Sequence, residues 1–231
     1  MFAVCLGAPG PDKAGVMIAA GIHGDEPAGV EAALRFIEAN ADGSDLLERF
    51  AFTVYPCNNP TGWELNTREN WSGIDLNRQF AARRPAPETE LITRSLEGRC
   101  FDLVFEMHED VDSHGFYLYE IAENSGLHIG ETIVQAVESA GFPVNRDECI
   151  EGMPAHGGVI RRSINLKRFR KTRLPQAIYT YRACGGHVLT VEPPASALPF
   201  EDRVRIELES LEIALAATHA ALGCGRVRAA K

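Results

Sequence analysis

The chain has 231 residues, of which 45% are hydrophobic and 24% charged. That balance excludes a mainly disordered chain and fits a single α/β domain over 1–231 with a full apolar core, or at most two small domains. With 32 acidic against 23 basic residues the net charge is −9, the wrong sign for a general nucleic-acid binder.

The chain opens on a short apolar segment with no preceding positive charge, since the first lysine is Lys13, so no signal peptide is expected. No run of about 18 apolar residues follows, which predicts no membrane span and a cytoplasmic address. Ala14 to Ile22 reads as a buried parallel strand. His-Gly-Asp-Glu comes next. Asp25 or Glu26 with Pro27 then marks a helix start, and Val30 to Ala39 carries apolar residues at helical spacing. Phe50 to Pro56 predicts a second strand. Asn58 to Phe80, rich in Asn, Gly, Pro and Thr, predicts a long loop of the kind that carries function.

A helix is expected over Pro87 to Leu96 and a central strand over Phe101 to Met107, ending at His108. Phe116 to Glu120 predicts a strand and Leu127 to Ala140 a helix stopped by Gly141 and Pro143. His187 to Val191 predicts a strand that ends at Glu192, where Pro193 and Pro194 stop it. Phe200 to Leu222 predicts a long terminal helix with apolar Val204, Ile206, Leu208, Leu211, Leu215 and Leu222. The alternation implies a mixed, mostly parallel central sheet with helices on both faces.

Six cysteines, none in a C-x-x-C pair, are expected as mostly buried thiols in a reducing compartment. Between Arg161 and Arg173 lie Arg162, Lys167, Arg168, Arg170 and Lys171 as well. This stretch reads as a solvated basic face, or as a basic wall for an anionic substrate.

His23, His108 and Glu192 share one address, the carboxyl end of a strand, where open α/β sheets gather their ligands. His23 and Glu26 stand three residues apart across a strand-to-helix turn, so an imidazole and a carboxylate can face one point. Adding His108 gives a ligand set suited to catalytic zinc with a position left for water. Glu192 is the candidate general base. In the loop, Asn77 and Arg78 offer amide and guanidinium donors to a carboxylate, and Arg68 offers a charge for a developing oxyanion. Asp75 and Arg78 also suit a plain salt bridge that closes the loop. Glu109, Asp110, Asp112 and His114 could orient His108, bind a second metal or line the pocket. His128, His156, His187 and His219 read as structural. Gly157-Gly158 reads as a turn or as the hinge of a lid.

The ordered series His23-Gly24-Asp25-Glu26, Asn59-Pro60-Thr61-Gly62, Arg68 to Asp75-Leu76-Asn77-Arg78, a strand-end His108 and Thr190-Val191-Glu192 resembles the zinc carboxypeptidase superfamily. That superfamily includes the succinylglutamate desuccinylase and aspartoacylase branch. The resemblance runs from about Ala14 to about Arg205. It implies one zinc ion per chain on His23, Glu26 and His108. It implies carbonyl polarisation by Arg68, carboxylate binding by Asn77 and Arg78, and water activation by Glu192. It implies a carboxypeptidase acting on a peptide, of murein type or acidic, or else a deacylase acting on an N-acyl amino acid. The chain is shorter than the digestive-type carboxypeptidases. It leaves no room after the last helix for the C-terminal β domain typical of the deacylase branch, which favours the compact bacterial peptidases. Tyr179 and Tyr181 are the candidates for a pocket tyrosine. Membrane and nucleic-acid partners are not expected, and the oligomeric state is left open.

Overall fold

The computed structural model describes residues 2–122, 127–161 and 173–223. Nine strands are found among them: β1 (Val4–Leu6), β2 (Ala14–Ala20), β3 (Phe50–Tyr55), β4 (Leu103–Met107), β5 (Tyr117–Ile121), β6 (Cys149–Ile150), β7 (Met153–Pro154), β8 (Val159–Arg161) and β9 (His187–Glu192). The helices are α1 (Pro27–Asn40), α2 (Leu46–Arg49), α3 (Pro60–Leu65), α4 (Pro87–Leu96), α5 (Gly130–Ser139), α6 (Gln176–Cys184) and α7 (Phe200–Gly223).

Seven strands form one sheet in the order β1-β3-β2-β4-β9-β5-β8. The pairs β3–β2, β2–β4, β4–β9 and β5–β8 are parallel, while β1–β3 and β9–β5 are antiparallel. The mixed, mostly parallel sheet is thus as expected. Its central strands are buried on both faces, which is why they read as continuous apolar runs rather than alternating ones.

Alternation along each strand splits the core in two. Val16 and Ile18 of β2, Phe105 and Met107 of β4, and Leu189 and Val191 of β9 pack under α1, α5 and α7. Met17, Val104 and Val188 point the other way, against Ile92 and Leu96 of α4 and Ile178 of α6. Helices therefore cover both faces. Gly29 lets α1 approach closely, because a Cβ there would lie 2.8 Å from Met107 Cβ.

Several sequence expectations are corrected. The segment Asn58 to Phe80 is not one long loop, because α3 and a 3-10 turn at Leu76–Arg78 lie within it. Asn59 explains the helix: its side chain accepts from Gly62 N, and Pro60 follows as a preset first helical residue. The helix expected from Leu127 starts at Gly130. The strands β1 and β8, the small β6–β7 pair and the helix α6 were not expected. Among the described cysteines only Cys184 is buried, while Cys5, Cys100 and Cys149 are exposed, so mostly buried thiols is wrong. All five are free. Among the described residues no helix is long and apolar enough to cross a membrane.

Candidate functional site

The end of β2 leads through Gly21 and Ile22 to His23, and Glu26 stands as the N-cap position of α1. Gly24 is required between them. A Cβ there would fall 1.9 Å from the Gly62 carbonyl carbon, so two backbones meet where a side chain cannot fit. Gly24 N donates to Thr67 O at 3.0 Å, which ties the His23 turn to the segment carrying Arg68. On the far side His108 N donates to Val191 O at 3.1 Å, extending the β4–β9 pairing by one residue and holding His108 beside Glu192.

Glu26 faces both imidazoles. Its Oε1 lies 2.5 Å from His23 Nδ1 and its Oε2 lies 2.8 Å from His108 Nδ1. All three side chains are buried. The Glu26–His108 approach lacks hydrogen-bond alignment, and Oε2 has no hydrogen-bond partner. One donor atom from each residue lies within 4.8 Å of the others. Two imidazoles and a carboxylate fit a divalent metal ion, and zinc is among the metals that favour this set.

The charges follow from this crowding. Burial pulls the His23 pKa down, but the Glu26 carboxylate and hydrogen bonds to Asp75 and Glu26 outweigh it and lift it to about 9. Burial pushes Glu26 up, yet His108 and His23 bring it down to about 2. Glu192 is lifted to about 8, first by burial, against the pull of His108 and with the push of the Glu26 and Asp110 carboxylates. A cation held by His23, Glu26 and His108 would pull Glu192 in the same direction as His108 does.

All seven residues expected at the site line one cavity of about 350 Å³: His23, Glu26, Arg68, Asn77, Arg78, His108 and Glu192. Arg68 is aimed by Asp75, whose Oδ2 accepts from Arg68 Nε at 3.3 Å, and by Asn59, whose amide reaches Arg68 O at 3.3 Å. Asp75 also accepts from Asn77 N and so starts the 3-10 turn that presents Asn77 and Arg78. The partner expected of Asp75 was Arg78; the structure pairs it with Arg68 and His23. Asn77 Oδ1 accepts from Gln176 N at 2.7 Å, fastening the turn to the start of α6 and leaving its amide hydrogens as the remaining donors.

Sequence reasoning missed the cavity floor. Tyr117 pairs across the sheet with Glu192, Tyr119 with Thr190, and Thr190 with Glu106, all on one sheet face. Each of these residues lines the cavity. The i, i+2 spacing of Tyr117 and Tyr119 within a strand was the available signal. Tyr179 does not serve there; its ring packs on Phe80, with centroids 5.5 Å apart, and Tyr181 joins the same apolar cluster. Tyr117 donates to Asp110 Oδ2 at 2.8 Å, and burial together with the Glu192 charge keeps its hydroxyl protonated.

The acidic run after His108 lines the cavity through Glu109, Asp110 and Asp112, as one of the expectations had it, and also serves structure. Glu109 accepts from Ala28 N at 2.6 Å at the start of α1 and pairs with Arg203. Asp110 accepts from Ser113 N and Tyr117 as well as from Asp112 N. His187 has a partner that its spacing did not reveal, Glu120 at 2.9 Å. Glu120, His128 and Glu131 form a second group with metal-ligand geometry, but the Arg161 guanidinium already pairs with both carboxylates. Arg161 is thus spent on an ion-pair network, and residues 162–172 of the basic stretch lie outside the described residues. Gly157 and Gly158, with φ of 60° and 86°, form the turn from His156 to Val159.

Comparison with known proteins agrees with this geometry. A structure from Shewanella baltica assigned as a metallopeptidase superposes with a TM-score of 0.76 at 24% identity, over 90% of this chain and 78% of that one. Carboxypeptidase A from Helicoverpa armigera gives 0.63 at 19% identity, over 92% of this chain and 63% of that one. These likenesses establish a shared fold. Carboxypeptidase E of Caenorhabditis elegans is 33% identical over an alignment of 90 residues, with a coverage of 30% of this chain and only 19% of that protein. The family model for the succinylglutamate desuccinylase/aspartoacylase catalytic domain matches residues 12–146, the stretch that supplies His23, Glu26, Arg68, Asn77, Arg78 and His108. With more than half its length covered by that model, the chain belongs to the succinylglutamate desuccinylase/aspartoacylase catalytic domain family and is built on the carboxypeptidase fold.

Proposed function

We propose that the chain is a zinc-dependent metallocarboxypeptidase that hydrolyses the amide bond next to a terminal carboxylate, using one ion per chain. The observation that carries this reading is the convergence of all seven candidate residues on one cavity. His23, Glu26 and His108 would hold the ion. When bound, it supplies a Lewis acid that polarises the scissile carbonyl and lowers the pKa of water.

The remaining chemistry belongs to the chain. Asn77 and Arg78 bind the terminal carboxylate through amide and guanidinium hydrogens. Arg68, steadied by Asp75, faces the oxygen on which negative charge develops. Glu192 accepts the proton of the attacking water and passes it to the departing amine. Burial favours the protonated form of Glu192, which suits a group that must carry a proton between two steps.

The family match favours a second reading, an N-acyl amino acid deacylase, because such substrates offer the same carboxylate beside an amide. Exposed free thiols at Cys5 and Cys149 suit the reducing cytoplasm. The test is turnover of the zinc-loaded protein on acylated dipeptides against N-acyl amino acids, with Glu192→Gln beside it. The variant should keep its metal and lose about 10²- to 10⁴-fold in kcat. Near-normal turnover by Glu192→Gln would overturn the assignment of the base.

A further inference from the structure

The floor of the cavity carries a carboxyl group that the reaction does not use. Glu106 lies on β4, two residues before His108 and on the same sheet face. It is 2% exposed, yet it lines the cavity. Its Oε1 has no hydrogen-bond partner. Its neighbours in register are Ala19 on β2 and Thr190 on β9, with Tyr119 beyond on β5. One layer deeper the same strands present apolar Val104, Val188 and Ile121. From above, Ala177 and Ile178 of α6 close the space.

The placement of the carboxylate grip gives this floor its use. Asn77 is fastened to Gln176, the first residue of α6, so a carboxylate held by Asn77 and Arg78 sits over the start of that helix. The side chain on the same α-carbon then has Ala177 and Ile178 on one side and the Glu106–Thr190–Tyr119 row on the other. Its stem meets apolar groups and its tip meets a carboxylate.

We propose that Glu106 is the specificity residue of this pocket, and that the preferred substrates release a residue whose side chain ends in an amine or guanidinium. This rests on the reading of the site as an amidohydrolase. A buried carboxylate oxygen without a partner is costly, and a ligand cation supplies the missing bond. An apolar side chain of equal length would leave that oxygen unpaired, and sites built around a polar partner reject such analogues strongly. Glu106 Oε2 is also 4.0 Å from His108 Nε2, so a role confined to holding His108 must be separated from specificity.

The experiment compares acylated dipeptides ending in lysine or norleucine, which share a carboxylate and chain length and differ in the cation. N-acyl-lysine and N-acyl-norleucine form a parallel pair. Zinc-loaded wild type should prefer lysine by at least about tenfold in kcat/KM. Glu106→Gln should erase most of that ratio by raising KM for the lysine substrate, with the norleucine substrate little changed. A positioning role alone would lower kcat for both substrates together and keep the ratio, which overturns the proposal. Equal turnover of both by wild type overturns it too, while leaving the hydrolase reading intact. Should no substrate turn over, the hydrolase reading fails by itself, and titration calorimetry with free lysine and norleucine decides the pocket. A preference for lysine that Glu106→Gln abolishes sustains it, and equal affinity ends it. If Glu106→Gln does not fold, Glu106→Asp, shorter by one carbon, should shift preference from lysine towards arginine, and an unshifted preference counts against the proposal.

Discussion

Asp75 Oδ1 lies 3.5 Å from His23 Nε2, on the ring edge opposite the one that meets Glu26. The imidazole therefore has a carboxylate on each side, and its Nε2 has no hydrogen-bond partner. Groups of this kind fix the tautomer and angle of a ligating histidine. Asp75→Ala should weaken zinc affinity about 10- to 100-fold. It should also slow turnover by releasing Arg68. Competition against a chromogenic chelator measures the first effect, and an unchanged affinity would remove Asp75 from the metal centre.

Metal uptake should release protons. His23 carries a pKa of about 9, above its ordinary 6.5, so it is largely protonated at neutral pH before a cation arrives. Apparent zinc affinity should rise by about one decade per pH unit for each proton displaced, up to about pH 9. In the metal-free protein the same shift acts on stability. The folded chain holds this proton more tightly than the unfolded chain. The gain is complete below about pH 6.5 and disappears as pH passes about 9. Thermal melts of the apo protein across that window should fall, and a flat profile would contradict the shift.

Glu207 on α7 is fully buried, and neither carboxylate oxygen has a partner. Burial, then the Glu192 and Glu26 charges, push its pKa well above the usual carboxylate range. Such a group costs stability once pH exceeds its ordinary range, because the unfolded chain ionises more readily. Glu207→Met, of similar volume, should raise the melting temperature at neutral pH by about 2–8 °C. A fall would mean that the carboxyl has a bonding partner in solution.

Gly24→Ala should be far more damaging than an ordinary surface change. A methyl group at 1.9 Å from Gly62 cannot be relieved by rotating a flexible side chain. The turn carrying His23 and the segment leading to Arg68 would have to separate. Loss of most metal binding is expected, with a destabilisation of roughly 3 kcal/mol or more. Metal content of the purified variant and its melting temperature report the two effects.

The sheet was legible, and the candidate site positions could be placed, because strand ends close apolar runs. His23 and His108 follow buried strands and Glu192 ends one, and burial on both faces leaves an unbroken hydrophobic signal. The strand β1 escaped because three residues carry no period, and α6 because it begins after a proline with little apolar patterning. The pocket floor escaped for another reason. Glu106 sits inside a run that reads simply as strand, and only the cross-strand register brings it to Thr190 and Tyr119. Its signal was an acid at i−2 from His108, a spacing that puts both on one face. The pairing of His187 with Glu120 spans 67 residues and could be found only in space.

Glu26 confronts one imidazole with each of its two oxygens, whereas Asn77 and Arg78 belong to a separate turn anchored on α6. On the proposed roles, chemistry and recognition are therefore mounted on two turns, which Asp75 joins. One amino-acid exchange at Glu26 would disarm the reaction yet leave the means of gripping a chain end untouched. If the proposed function holds, this scaffold stands a single mutational step from becoming a receptor for the molecules it would otherwise cut.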